Sequence, residues 1–279
     1  MNPHLQYPTS PSALAAALWR NRDLLLQMVR REVMGRYRGS LMGIGWSLFH
    51  PILMLTVYTF VFSTVLHTRW TAPAAGEEPG HAQFAIILFA GLIIHGLFAE
   101  VLSRAPGLVP GNANYVKKVV FPLEILPMVT TGAAVFHAAI SLGVLLVAFF
   151  LSHGYVNWTA ALIPLILLPL VVLTLGLAWL LASLGTFLRD VGQAVGVLMT
   201  VLLFLSPVFY PTSSLPEPFR ALVMINPLTF VIEQARDVLI WGHAPHWAEL
   251  GVYAAVSVLV AWGGFAWFQK TRKGFADVL

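Results

Sequence analysis

The chain has 279 residues, of which 58% are hydrophobic and only 10% are charged, and its 16 basic and 12 acidic side chains give a formal net charge of +4. Soluble globular domains carry roughly 25% charged residues, so this composition excludes a water-soluble fold and predicts an integral membrane protein. The absence of Cys excludes a disulfide scaffold, a thiolate metal site and a Cys nucleophile.

An amphipathic helix is predicted in the segment Leu14 to Ser40. The segment is too charged to span a bilayer, yet at about 100° per residue several apolar side chains share one face. These side chains are Leu25, Leu26, Val29, Val33 and Tyr37. We predict an interfacial helix whose functional residues are Arg31, Arg36, Tyr37 and Arg38. An ordinary positively charged flank of the first span is the alternative.

Six apolar runs are long enough to cross about 30 Å of hydrocarbon as helices. They are Leu41 to Leu66, Phe84 to Leu102, Val129 to Leu151, Ala160 to Leu188, Val191 to Tyr210 and Leu250 to Phe268. Pro51, Pro164 and Pro169 lie inside two of these runs and predict kinks rather than breaks. The predicted fold is all-α, with one polytopic transmembrane domain at 41–268 between an N-terminal segment, 1–40, and a C-terminal segment, 269–279.

Two segments between the spans are unusual. Arg104 to Pro127 is too long for a tight turn and too polar for lipid, which favours a docking loop, although a merely solvated loop fits its composition equally well. Farther along, the apolar stretch Phe219 to Ile232 is only fourteen residues long and is interrupted at Asn226-Pro227, which favours a re-entrant helix pair. Its second arm is Phe230 to Trp241, and one face of that arm should meet water or a polar lumen, because it carries Glu233, Arg236 and Asp237.

The distribution of basic residues predicts the orientation. Thirteen would lie on the side that holds both termini: Arg20, Arg22, Arg30, Arg31, Arg36, Arg38, Arg104, Lys117, Lys118, Arg189, Lys270, Arg272 and Lys273. Only Arg69, Arg220 and Arg236 would lie on the other side. The positive-inside rule therefore places both termini in the cytoplasm, and the net charge gives no support to nucleic-acid binding.

The chain also lacks the groups that would let it drive transport without a partner subunit. None of its four lysines follows a glycine, so there is no P-loop for ATP. Of nine histidines, His50, His95 and His137 lie inside spans, but no second His or carboxylate lies one helical turn away, so each is predicted to be a hydrogen-bonded packing residue. Glu100 is the only candidate charge within a span, which argues against ion coupling. No metal or cofactor is predicted in this chain, and another subunit would supply the free energy.

Aromatic residues cluster on two spans. Trp46, Phe49 and Phe60 share a face of the first span, and Phe204, Phe209 and Tyr210 lie near the end of the fifth. Such faces suit sugar rings, whose C–H groups pack on aromatic rings while their hydroxyls stay hydrated. An interfacial aromatic belt with lipid-facing Phe is the alternative.

Several strings resemble the membrane subunit of the ABC exporters that move bacterial surface polysaccharides: O-antigen, capsule and teichoic acid. They are Arg31-Glu32, the run from Arg36 to Trp46, the run from Tyr115 to Pro127, Leu188-Arg189-Asp190, the run from Ser206 to Pro211, the run from Asn226 to Thr229 and Phe275-Ala276-Asp277. The resemblance covers nearly the full length. Its most specific part is Lys-Lys-Val-Val-Phe-Pro-Leu-Glu at 117–124, and the continuation through Pro127 is most similar to the O-antigen branch.

This resemblance implies a homodimer joined to two ATP-binding subunits, which would hold ATP and Mg²⁺, in the bacterial inner membrane. The cargo would be a lipid-linked polysaccharide, the first and fifth spans would line its channel, and Pro211 to Trp241 would form the outer gate. The implied ATPase-coupling residues are Asn112, Asn114, Tyr115, Lys117, Lys118, Arg189 and Asp190. The implied gate residues are Asn226, Pro227, Glu233, Arg236 and Asp237.

Two other functions remain open. The same six-span architecture could move a drug or a lipid, since exporters of those cargoes also have six spans. An intramembrane glycosyltransferase or acyltransferase would need clustered carboxylates or histidines at the membrane face, and none is apparent in the sequence.

Overall fold

Helices account for all of the regular structure in the described part of the chain. The structure is a computed structural model that describes residues 9–65, 81–117 and 121–279, and no strand occurs within these ranges. The predicted all-α class is therefore confirmed. Within these ranges the α-helices are α1 (Pro11–Arg20), α2 (Arg22–Arg36), α3 (Trp46–Tyr58), α4 (His81–Arg104), α5 (Ala113–Lys117), α6 (Ile125–His153), α7 (Ile163–Phe187), α8 (Val191–Leu205), α9 (Glu217–Ile225), α10 (Pro227–Arg236), α11 (Trp247–Thr271) and α12 (Phe275–Val278).

Five helical segments of the described chain are long and apolar enough to cross a membrane. They are Gly43–Phe62, Gln83–Gly107, Ile125–His153, Trp158–Phe187 and Trp247–Val278. They coincide with the predicted first, second, third, fourth and sixth spans. Pro51 and Pro169 lie inside α3 and α7, and Pro164 lies in the first turn of α7, so none of them breaks its helix.

The predicted fifth span is shorter than expected. Its helix α8 has 15 residues and ends at Leu205, so it is only about 22 Å long at the rise of an α-helix. Ser206 has an extended backbone, with φ −84° and ψ 149°, which is the conformation that the following Pro207 favours. The apolar run to Tyr210 is therefore not one helix, because a proline ends it.

α4 is the centre of the core. It packs against α6, α7, α8 and α10, and nearly every side chain from Phe84 to Leu102 is buried. A helix that is apolar on all sides is buried by its neighbours rather than set at the surface. Polar residues at the end of α4 consequently lie between other helices.

α7 and α11 pack closely because glycines line their contact. A Cβ atom built on Gly176 would lie 2.5 Å from the Cα of Ala261, and one built on Gly264 would collide with the carbonyl of Gly176. Small residues allow membrane helices to approach at backbone distance, where van der Waals contact stabilises the pair.

The N-terminal helices lie against this body. Leu25, Val29, Val33 and Tyr37 of the predicted apolar face are buried or half-buried, whereas Leu26 is exposed. α2 packs along α6, and Val29 would contact a Cβ built on Gly132 at 2.7 Å. Much of the apolar face therefore packs on protein. The expected position at a membrane surface stays a prediction.

One end of the molecule gathers several segments that are distant in sequence. We call it the terminal face and define it as α2, residues 105–117, residues 121–124, residues 188–190 and residues 272–279. α12 packs on α5 and α7, and the turn Ala105–Gly107 packs on α7 and α8. The segment of the long loop that the structure describes is thus part of a continuous surface.

Candidate functional site

A polar cluster joins the end of α2 to α4 and α6. The Arg36 guanidinium donates a hydrogen bond to Glu100 Oε1 at 2.7 Å, and its Nη1 lies 2.9 Å from Nδ1 of His137. The Tyr37 hydroxyl lies 3.2 Å from Nε2 of the same ring. His137 thus has a polar partner at each ring nitrogen, Arg36 at Nδ1 and Tyr37 at Nε2. Burial raises the pKa of the Tyr37 hydroxyl.

A second ion pair supports this cluster. Arg104 pairs with Glu32 of α2 and also lies 3.9 Å from Glu100. Both Arg104 and Arg36 are partly exposed, so each pair contributes only about 1 kcal/mol or less to stability. The pairs set the position of α2 against α4 more than they stabilise the fold.

The cluster lies at one end of a cavity of about 670 Å³. The cavity follows α3 from Trp46 to Tyr58, which is about 18 Å of helix, and its volume is within the range of small-molecule sites, about 300 to 1,000 Å³. His50 and His95 line it together with His137.

Two of the span histidines, His95 and His137, have different surroundings. His95 is buried, and its Nε2 lies 3.1 Å from the carbonyl oxygen of Met199, as predicted for a packing histidine. His137 contacts Arg36, Tyr37 and Glu100. Sequence spacing missed this cluster because its members come from three different helices. The only available signal was that Glu100 lay near one end of a predicted span.

The predicted docking loop is held firmly on the terminal face. Asn114 on α5 is exposed, and the Tyr115 ring stacks on Phe121 with centroids 4.5 Å apart. Asn112 Nδ2 donates to the carbonyl of Leu108 at 2.8 Å. The side chain of Lys117 and the whole of Lys118 lie outside the described residues.

A buried ion pair fixes the end of this loop to the C-terminal segment. Arg272 donates to the Glu124 carboxylate at 2.7 Å and to the Phe121 carbonyl at 2.8 Å. The Trp179 indole donates to the Glu124 carbonyl at 3.0 Å. Glu124 therefore ties the loop to both α7 and the C-terminal segment.

Arg189 and Asp190 are exposed in the turn between α7 and α8. The turn lies beside the docking loop, because Gly185 is in direct contact with Pro106. The structure thus brings the two predicted coupling segments to the same face, and their role in coupling stays a prediction. Arg31 and Arg38 are also exposed.

The predicted gate segment is a pair of short helices, α9 and α10, joined at Asn226-Pro227. The Asn226 side chain accepts from the Leu228 amide at 2.9 Å and donates to the Ser206 hydroxyl at 2.8 Å. This side chain caps α10 and links it to the end of α8. The sequence expectation of a break at this position is confirmed.

Arg236 corrects the expectation that the charged side chains of this segment meet water. It is 1% exposed. Its guanidinium donates to the carbonyls of Pro207 at 2.7 Å, Val208 at 3.0 Å and Ile87 at 3.3 Å, and it lies 3.4 Å from Glu233. The non-helical stretch that follows α8 leaves the Pro207 and Val208 carbonyls without helical partners, and Arg236 satisfies them. Glu233 and Asp237 retain partial exposure.

The predicted channel aromatics form separate groups. Trp46 and Phe49 meet edge to face at 5.3 Å on α3, and Phe204 stacks on Phe209 at 5.7 Å. The Tyr210 hydroxyl donates to the Phe204 carbonyl at 3.0 Å. Phe60 is exposed in a π-helical segment, Thr59–Val65, that continues α3. Trp46, Phe49, Phe60 and Phe204 are exposed in the single chain.

Together the apolar helices and the polar cluster between them define a multi-pass helical membrane protein. No group of three or more His, Asp or Glu that could hold a metal occurs among residues 9–65, 81–117 and 121–279. The chain belongs to the ABC-2 type transporter family, whose model matches residues 23–240.

Curated relatives match the chain over most of its length. The O-antigen export system permease protein RfbA of Myxococcus xanthus is 28% identical over 266 residues, which cover 95% of this chain and 98% of that protein. An RfbA permease of Klebsiella pneumoniae is 25% identical over 92% of this chain and 95% of its own length. The polysialic acid transport protein KpsM of Escherichia coli is 21% identical over 87% of this chain and 91% of that protein.

Proposed function

We propose that this chain is the permease subunit of an ATP-driven exporter that moves a lipid-linked surface polysaccharide across the bacterial inner membrane. The observation that carries the proposal is its similarity, over 95% of its length, to a permease of O-antigen export. O-antigen is favoured over capsule because the polysialic acid relative is only 21% identical. Transport of a drug or an unglycosylated lipid has no relative among these proteins to support it.

The proposed membrane arrangement has six crossings, with both termini in the cytoplasm. α8 with residues 206–210 makes the fifth crossing, α2 lies at the cytoplasmic interface, and α9 and α10 re-enter from outside. The excess of basic residues on the side of the termini supports this orientation. The terminal face then points to the cytoplasm.

The proposed complex is a homodimer of this chain with two ATP-binding subunits. The sequence has no P-loop, so the ATP and Mg²⁺ would bind to the partners. Closure of the partners would push α5 and residues 188–190, and the spans would move apart to admit the glycan. The Glu124–Arg272 pair supports transmission of this push, because it joins the loop rigidly to the C-terminal segment.

Deletion of the gene tests the proposal. We expect undecaprenyl-linked glycan to accumulate inside the cells while the surface polysaccharide is lost, and a plasmid copy of the gene should restore export. A plasmid copy paired with an ATPase that cannot hydrolyse ATP should fail to restore it. Normal surface polysaccharide in the deletion strain would contradict the proposed function. Glycosyl transfer by the purified chain alone would favour an intramembrane enzyme.

A further inference from the structure

The cavity between α3, α4 and α6 has polar groups along its length. Ser47 and Ser141 donate to backbone carbonyls at 2.7 and 3.0 Å, which leaves the lone pairs of both oxygens available as acceptors. His50 also lines the cavity. An alkyl chain filling this space would leave these serine lone pairs without donors, at a cost in free energy.

The charges at the cavity mouth are balanced. Among the lining residues that the structure describes, Arg36 is the only Arg or Lys, and Glu100 neutralises it at 2.7 Å. A phosphate or carboxylate bound to the other N–H groups of Arg36 would lie beside the Glu100 carboxylate, and the two negative charges would repel each other. A neutral ligand would not be repelled by the Glu100 carboxylate.

Aromatic rings lie beside these polar groups. Trp46 and Tyr58 line the same cavity on α3, and Phe89 lines it on α4. Ring faces next to hydroxyl and imidazole groups suit a ligand that has both C–H faces and hydroxyls.

We propose that this cavity is a binding site for a neutral, hydroxyl-rich ligand, namely sugar residues of the exported glycan, held within one chain. The inference rests on the proposed function for the identity of the glycan. The site would take up sugars on the side of the terminal face, before they reach any channel between two copies. Arg36, Tyr37 and Glu100 would form its mouth.

Gly96 provides a clean way to block the cavity. It lines the cavity, and a Cβ built on it meets no atom within 4 Å. We therefore expect the side chain of Gly96→Leu to project into the cavity from a Cβ that has open space around it. Gly143 is the matched control, since it lies within α6, also has open space around its Cβ and does not line the cavity.

The binding experiment uses the purified complex of the chain with its ATPase in lipid nanodiscs. The probe is a set of short, neutral oligosaccharides released by mild acid from the surface polysaccharide of the source strain. We expect Gly96→Leu to weaken oligosaccharide binding by about tenfold or more, equivalent to about 1.4 kcal/mol, while Gly143→Leu stays within about twofold of the unmodified chain. Ser141→Ala should weaken binding less, because it removes one acceptor and no packing.

Farnesyl pyrophosphate serves as a second probe. If Gly96→Leu weakens its binding and leaves oligosaccharide binding unchanged, the cavity holds a lipid phosphate and the inference is overturned. The inference also fails if the unmodified complex binds no oligosaccharide, or if all variants bind it equally.

Export measurements separate this inference from the proposed function. If deletion of the gene leaves the surface polysaccharide intact, the proposed function fails. If deletion abolishes the polysaccharide but Gly96→Leu exports and binds normally, only the cavity inference fails.

Discussion

The Glu124 carboxylate and the Arg272 guanidinium form an ion pair at 2.7 Å across 148 positions of sequence, with both side chains only 6% exposed. The pair fastens the docking loop to the C-terminal segment.

Arg272→Ala should destabilise the protein by about 3 to 5 kcal/mol, because it leaves the Glu124 carboxylate buried without its partner. Unfolding of the purified chain by SDS in mixed micelles measures the change. The double variant Glu124→Gln, Arg272→Met should recover most of the loss, since neither remaining group is charged. Equal stability of Arg272→Ala and the unmodified chain would contradict the buried pair.

Arg236→Met should destabilise the packing of α8 and α10 by about 3 kcal/mol or more, because the carbonyls of Pro207, Val208 and Ile87 each lose a charged donor. Arg236→Lys should recover only part of the lost stability, since a Lys ammonium lacks the planar arrangement of N–H donors of a guanidinium. The measurement is the rate at which limited proteolysis cuts the chain after residue 206, which should rise in Arg236→Met. Arg220→Met is the control, because Arg220 is exposed.

Gly176→Leu should prevent the close packing of α7 and α11, because its side chain would overlap the backbone of Ala261. We expect the variant to be degraded or aggregated, as measured by its yield in membranes and its elution in gel filtration. Gly263→Leu is the matched control on α11, where a Cβ meets open space. Comparable yields of the two variants would contradict the packing.

Asn114→Arg with Arg189→Glu should weaken binding of the ATPase subunits, because both positions are exposed on the terminal face. Co-purification of the partner and stimulated ATP turnover are the two measurements. Glu217→Arg, exposed on α9, should leave both unchanged. Full co-purification and normal turnover with the double variant would remove the proposed coupling role of this face.

Phe204→Ala should slow glycan export without affecting assembly, because its ring is exposed in the single chain and stacks on Phe209. Trp46→Ala should have a similar effect on α3. The control is Phe150→Ala, which removes an exposed ring from α6. If all three variants export equally well, the proposed aromatic lining of the channel is wrong.

Much of the fold could be predicted from local sequence patterns. The long apolar runs predicted five of the helices that could cross a membrane, because hydropathy and length act within one segment. The break at Asn226-Pro227 was predictable for the same reason, since proline acts on its own neighbours. The end of α8 at Leu205 carried a similar signal in Ser206-Pro207, which the apolar run to Tyr210 obscured.

The sequence by itself determined the membrane class, the helical segments and the absence of a P-loop, because each depends on composition or on neighbouring residues. Only the tertiary structure decided that Arg36, Glu100 and His137 meet at the mouth of a cavity and that Arg236 is buried against backbone carbonyls. The helical period tells which residues share a face of one helix. Which faces meet depends on packing between helices that lie as many as 149 positions apart, as Arg236 and Ile87 do.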